Sequence, residues 1–167
     1  MQAHDVIHVV TSLEAAGIRV WLDGGWGIDA LIGEQTRLHA DLDLVIALHH
    51  VPHAREALGR HQYVVTEDEL PTRCVLCDPT DRRIDFHTVT FDAEGGGVQQ
   101  LQDGSSFRYP PPGFGGRGQI AGQTLPCLTP EVQMLCHVGY PPDAQDEHDV
   151  RLLHTRFGLA LPPPYQR

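Results

Sequence analysis

The sequence predicts an α+β fold, a mixed β-sheet with flanking helices that ends in a short C-terminal helical part. Three observations carry that expectation. Val6, Val9, Val10 and Leu13 recur at i, i+3, i+4 and i+7, the spacing of one helix face. Asp41-Leu42-Asp43-Leu44-Val45-Ile46 alternates and then runs apolar, as a partly buried strand does. Beyond residue 126 the strand texture gives way to helical spacing. The expected organisation is therefore a core over 1–126 with a helical segment over 127–167 packed on it as a single unit. A length of 167 residues suits such a unit.

The elements follow in order. The first helix stops at Gly17, after two alanines. Ile18–Leu22 reads as a short strand, broken by Asp23-Gly24-Gly25. Trp26 to Gly33 reads as a short helix with Ile28, Leu31 and Ile32 on one face. Val51 to Gly59 carries Pro52 in a first helical turn. Tyr63–Thr66, Arg73–Cys77 and Arg83–Val89 read as strands, the last two joined by a turn at Asp78-Pro79-Thr80-Asp81. From Asp92 the glycine and proline clusters predict loops, then a small hairpin near Gly118–Leu128. Thr129-Pro130-Glu131 opens a helix with a hydroxyl cap, a proline and an acid in the first turn. In Gln145–Phe157, helical spacing groups Val150, Leu153, His154 and Phe157.

Charge limits the function. Lys and Arg number 12 against 22 Asp and Glu, a formal net charge of -10. A broad nucleic-acid footprint needs a basic patch or stripe, so nucleic acid is not the expected partner. A phosphate-bearing small ligand needs only a few local cations, and a cationic substrate would be attracted. No apolar run reaches the roughly 20 residues of a membrane span, and no signal peptide is recognisable, so a cytoplasmic protein is expected. Cys74 and Cys77 lie on a strand, where positions three apart face opposite sides, so the four cysteines read as free thiols.

Three places could carry chemistry. Asp41 and Asp43 share one face of their strand, and like charges that close call for a cation between them. Oxygen-only ligands favour Mg²⁺ with substrate phosphates completing the shell. A solvated strand end would show the same pattern. Gly24-Gly25 follows a strand and precedes a helix, where the backbone can approach an anion, though a simple tight turn looks alike. Asp85 interrupts a strand between Ile84 and Phe86 and shares a face with His87, a costly place for a carboxylate without a cation. Convergence of Asp85 on Asp41 and Asp43 requires the two strands to be neighbours. Asp29 reads as a support for the glycine loop, Trp26 as core, and the histidines as scattered surface residues. The run Asp143, Asp146, Glu147, Asp149 reads as a solvated helix start or as the wall of a pocket for an amine-bearing molecule.

Gly24-Gly25-Trp26-Gly27-Ile28-Asp29-Ala30-Leu31-Ile32-Gly33, followed by Thr36-Arg37-x-His39-x-Asp41-Leu42-Asp43-Leu44, resembles the antibiotic nucleotidyltransferases. Similarity is greatest to the small lincosamide type and the aminoglycoside 2''-adenylyltransferases. It continues more loosely through Arg83-Ile84-Asp85, Leu128-Thr129-Pro130-Glu131 and His148-Asp149. The resemblance implies the nucleotidyltransferase (polymerase β-like) fold and transfer of a nucleoside monophosphate to a small-molecule hydroxyl. It implies that Gly24 and Gly25 hold nucleotide phosphates, with Arg37 contacting the triphosphate and His39 orienting the site. It implies Asp41, Asp43 and Asp85 as Mg²⁺ ligands, with Asp85 also accepting the hydroxyl proton. Two Mg²⁺ ions, ATP or another nucleoside triphosphate, and a homodimer are implied with it. The alternatives are a toxin-type transferase acting on protein or RNA, or a non-catalytic nucleotide-binding module.

Overall fold

Helix α1 (Ala3–Ala15) buries the Val6, Val9, Val10 and Leu13 face read from the sequence, in a computed structural model that describes residues 1–166. The chain continues through β1 (Val20–Leu22), α2 (Gly24–Ile32), β2 (Asp41–Ala47) and α3 (Val51–Gly59). Strands β3 (Val64–Glu69), β4 (Arg73–Cys77) and β5 (Arg83–Phe91) complete the main sheet, in the order β1-β2-β5-β4-β3. The pair β2 and β5 is parallel, while β1–β2, β4–β5 and β3–β4 are antiparallel, so the sheet is mixed.

Alternation on β2 and β5 assigns each residue a face. Leu42, Leu44, Ile46, Ile84 and Phe86 point to the side covered by α1 and α3 and are fully buried. Burying each such side chain contributes about 1.5–3 kcal/mol. The opposite face carries Val45 and Val89, packed with Trp21, Tyr109, Leu128 and Val132. Asp41, Asp43, Asp85 and His87 belong to this second face by the same period of two. The apolar half of the alternation thus anchors the strands that present the polar half.

After β5 the chain forms a hairpin, β6 (Gly97–Gln100) and β7 (Ser106–Tyr109), that extends the sheet from the end of β5. The sequence had predicted loops there, because four-residue strands flanked by Gly and Ser leave too short a pattern. The hairpin β8 (Arg117–Ile120) and β9 (Gln123–Pro126) lies where it was expected and packs on α2 and β1. Helices α4 (Pro130–Cys136) and α5 (Ala144–Phe157) then pack against α2.

Three local expectations are corrected. Helix α2 begins at Gly24, so the glycine pair forms its first turn instead of preceding it. Thr129 occupies the cap position of α4, but its hydroxyl makes no capping bond. On α5, His154 and Phe157 are exposed, whereas Asp149 is buried with Val150 and Leu153. Among the described residues no helix is long and apolar enough to cross a membrane.

Candidate active site

Register brings the carboxylates together. Asp43 on β2 is paired directly with Asp85 on β5, and Asp41 with Arg83. Potential ligand atoms of Asp43, Asp85 and His87 lie within 4.8 Å of one another. Asp41 lies on the same face one pleat earlier, outside that trio, and lines the same cavity as Asp43. His87 belongs with the carboxylates, a grouping that its shared face with Asp85 foreshadowed.

Two basic side chains face these acids. Arg73, from β4, grips Asp85 through Nε at 3.3 Å and Nη2 at 2.7 Å. His87 Nδ1 lies 3.2 Å from Asp23 Oδ2, and its Nε2 lies 3.7 Å from Asp43 Oδ1. Burial pushes the Asp43 carboxyl up to about 7; His87 pulls it down, and Asp41, Asp23 and Asp85 add to the rise. Burial would lower His87, but the Asp23 hydrogen bond and the surrounding carboxylates hold it up at about 9. The cluster is therefore rich in negative charge and calls for cations.

The glycine pair faces this cluster. Asp23 caps α2, accepting from Gly24 N at 2.8 Å, while its own N–H donates to Asp43 O at 3.0 Å. Gly24 has φ +55°, and a Cβ there would collide with the Asp43 carboxylate. A Cβ on Gly25 would collide with His39 Nδ1 and Arg37. Only glycine lets the helix start lie this close to the acids, where its first-turn N–H groups lack intrahelical partners. Those groups and the helix dipole suit an anion.

Arg37 is committed within the protein. Its Nε and Nη2 bind the two oxygens of Asp149 on α5 at 3.1 and 2.7 Å. Arg37, expected to contact the triphosphate, lines the cavity, and buried Asp149, unseen as a partner in the sequence, holds it. His39 is buried, correcting its reading as a surface histidine, and bonds Asp29 through Nε2. Asp29 also accepts from Thr36 N at 3.1 Å and Thr36 Oγ1 at 2.6 Å, so it supports the loop leading to β2. Trp26 is buried core and packs its ring 4.5 Å from that of His39.

Asp23, Gly24, Gly25, Arg37, His39, Asp41, Asp43 and His87 line a cavity of about 390 Å³, whose far wall comes from the C-terminal segment through Tyr140, Asp143, Asp146 and Asp149. The acidic run opens α5 and contributes to the cavity wall, while Asp149 is buried where a solvated residue was expected. Asp143 caps α5, accepting from Gln145 N at 2.7 Å and Asp146 N at 2.9 Å. It also lines the cavity with Asp146. Sequence reasoning missed Asp23, Arg73 and Tyr140. The strand-end position of Asp23 before two glycines was a usable signal; nothing marked Arg73, whose partner is set by strand pairing.

A family model described as aminoglycoside-2''-adenylyltransferase matches residues 5–153. A lincosamide resistance protein of Staphylococcus haemolyticus is 26% identical over 151 residues, covering 90% of this chain and 93% of that protein. The crystal structure of the lincosamide antibiotic adenylyltransferase LnuA, lincomycin-bound, is similar with a TM-score of 0.79 and 26% identity, over 91% of this chain and 96% of that one. ANT(2'')-Ia in complex with adenylyl-2''-tobramycin shares the fold, with a TM-score of 0.71 and 22% identity over 92% and 88% of the two chains.

Proposed function

The chain belongs to the aminoglycoside-2''-adenylyltransferase family and is a nucleotidyltransferase, and from that premise we propose that it moves AMP from ATP onto a hydroxyl of a lincosamide or aminoglycoside antibiotic, releasing pyrophosphate. The observation that carries this reading is the pairing of Asp43 with Asp85 on adjacent parallel strands, directly against the Gly24–Gly25 helix start. An acidic cluster beside an anion-receiving turn is what a metal-bound triphosphate needs.

The donor set fits a divalent cation. Asp41 and Asp43 offer oxygen ligands on one face of β2, and the Asp43 carboxyl is raised first by burial and further by the neighbouring acids. Asp41, Asp43 and Asp85 would hold Mg²⁺, with His87 and Arg73 balancing the acids in its absence. Bound there, the metal would supply positive charge for the attacking hydroxyl, the triphosphate and its leaving group. Gly25 receives the phosphates through its backbone N–H, and Gly24, whose N–H is held by Asp23, gives them room to approach by lacking a side chain. Asp85 accepts the proton of the acceptor hydroxyl once the grip of Arg73 loosens. His39, fixed by Asp29, orients the loop that carries Arg37 to the cavity wall. Arg37 offers the triphosphate the side of its guanidinium that Asp149 leaves free, while Asp149 keeps it at the cavity wall.

The cavity has the dimensions of a small-molecule site, which favours a small acceptor over a protein or RNA. The net charge of -10 weighs further against RNA. We place the reaction in the cytoplasm, where ATP and Mg²⁺ are supplied; the resemblance also implies pairing of two copies, on which the reading does not depend.

The test is calorimetric titration of ATP with and without Mg²⁺. Wild type is expected to bind ATP in a Mg²⁺-dependent manner, and Asp43→Asn to lose that dependence while keeping its fold. Binding that ignores Mg²⁺ in wild type contradicts the assignment.

A further inference from the structure

Beside the carboxylates a second cleft, of about 260 Å³, opens off the main cavity. The two share Asp23, His87, Cys136 and Tyr140. Past that junction the walls turn apolar, with Leu101, Phe107, Tyr109 and Val138. The Gln99 amide on this wall is already satisfied. Its Nε2 donates to Thr72 O at 3.2 Å, and its Oε1 accepts from Tyr109 Oη at 2.8 Å. Tyr140 Oη donates to Asp146 Oδ1 at 2.9 Å, so that hydroxyl is also occupied. Burial raises the Cys136 thiol, which therefore stays neutral. Phe107 packs edge-on to buried Tyr109 with ring centroids 4.7 Å apart, which fixes the shape of the wall.

We propose that this cleft is the acceptor's specificity subsite, and that it selects an amphiphile whose reacting hydroxyl lies near a compact alkyl or aryl arm over a polycationic polyol. The inference rests on the nucleotidyltransferase reading and narrows its substrate class. The cleft is smaller than the 300–1,000 Å³ typical of a whole drug-sized ligand, so it takes one arm while the remainder occupies the main cavity. An apolar arm gains burial there. A hydroxylated or aminated arm would leave water for walls whose polar groups are already paired, and unmet polar groups are costly to bury. Position supports the assignment. The mouth is formed by Asp23 and His87, and His87 Nε2 lies 3.7 Å from Asp43 Oδ1. An arm seated in the cleft therefore brings its neighbouring atoms to the carboxylates. The rim residues Leu101, Phe107 and Val138 belong to the β6–β7 hairpin and the segment after α4, outside the reacting groups.

The test uses lincomycin, which carries an alkyl chain, and tobramycin, a polyaminated polyol. Each is titrated calorimetrically into wild type, Val138→Asp and Phe107→Ala, saturated with Mg²⁺ and a non-hydrolysable ATP analogue. At about 0.5 M salt, which screens the attraction of the tobramycin amines to the acidic wall of the main cavity, wild type is expected to bind lincomycin at least about tenfold more tightly than tobramycin, the worth of roughly two buried methylenes. Val138→Asp is expected to weaken lincomycin by about tenfold or more, with ATP-analogue binding unchanged within about twofold. Lincomycin turnover should show a raised KM at nearly constant kcat. Phe107→Ala carries the test if Val138→Asp fails to fold. Equal or tighter tobramycin binding, or wild-type lincomycin affinity in both variants, overturns the subsite. If the ATP analogue binds and lincomycin does not, the subsite alone fails. If the analogue does not bind, the nucleotidyltransferase reading fails with it.

Discussion

Asp43 is the residue on which most of the site converges. It pairs with Asp85 across two strands, lies against the α carbon of Gly24, and faces His87 from the other side. Its presence beside Asp41 was legible as a same-face pair, and Asp85 as an acid out of place between Ile84 and Phe86. Their meeting was not legible, because spacing within a strand carries no information about which strand lies next to it. The same ignorance hid Arg73, whose guanidinium reaches Asp85 only through the antiparallel β4–β5 register. A pH dependence follows from the elevated Asp43 carboxyl. Its folded value lies at about 7, above the ordinary carboxylate range, so the metal-free group takes up a proton as pH falls through 7. Mg²⁺ must displace that proton, and its affinity should weaken by up to about tenfold per pH unit below pH 7. Calorimetry between pH 5.5 and 8.5 checks this; a flat affinity across that range would count against Asp43 as a ligand.

Among the elements, α5 shows an ion pair added to an apolar contact face. Its sequence predicted an amphipathic face, and Val150 and Leu153 are buried on it. Asp149 joins them, which hydrophobic patterning could not foresee, because a buried acid is tolerable only with its partner. That partner, Arg37, is 112 residues away in sequence and binds it bidentately. The Asp149 side chain is 4% exposed, so Arg37→Ala should destabilise by about 3–5 kcal/mol through an uncompensated buried charge. The double replacement Arg37→Met with Asp149→Leu should recover most of that loss. Thermal melting of the three variants measures both effects. The β6–β7 hairpin marks the opposite limit, where strands of four residues gave too little pattern to identify, yet they supply the apolar wall beside the carboxylates.

Across the whole molecule, the order β1-β2-β5-β4-β3 places the acidic face of two central strands between α2 and the C-terminal helices, so the cavity draws on both ends of the chain. The α+β class was readable because α1, β2 and β5 each hold a strong local period. A polar network ties α1 to the β4–β5 turn away from the site. Arg82 bonds Asp5, and it donates to Asp78 through Nε at 2.7 Å and its backbone N–H at 2.9 Å. Burial would raise Asp78, yet these bonds and those from Thr80 hold it down to about 2. With a folded value below the unfolded one, its stabilising contribution is present above about pH 4 and is lost as pH falls through 2. Asp78→Ala should therefore lower the melting temperature at pH 7, by about 2 kcal/mol of stability, with the gap to wild type closing toward pH 2. A gap independent of pH would show that the carboxylate charge contributes nothing.

Pyrophosphate release with Mg²⁺ and ATP, measured for wild type and Asp43→Asn against lincomycin and tobramycin, tests the central claim most directly. The account predicts acceptor-dependent release by wild type and a fall of at least about 100-fold in a folded Asp43→Asn. Release by that variant at the wild-type rate would contradict it.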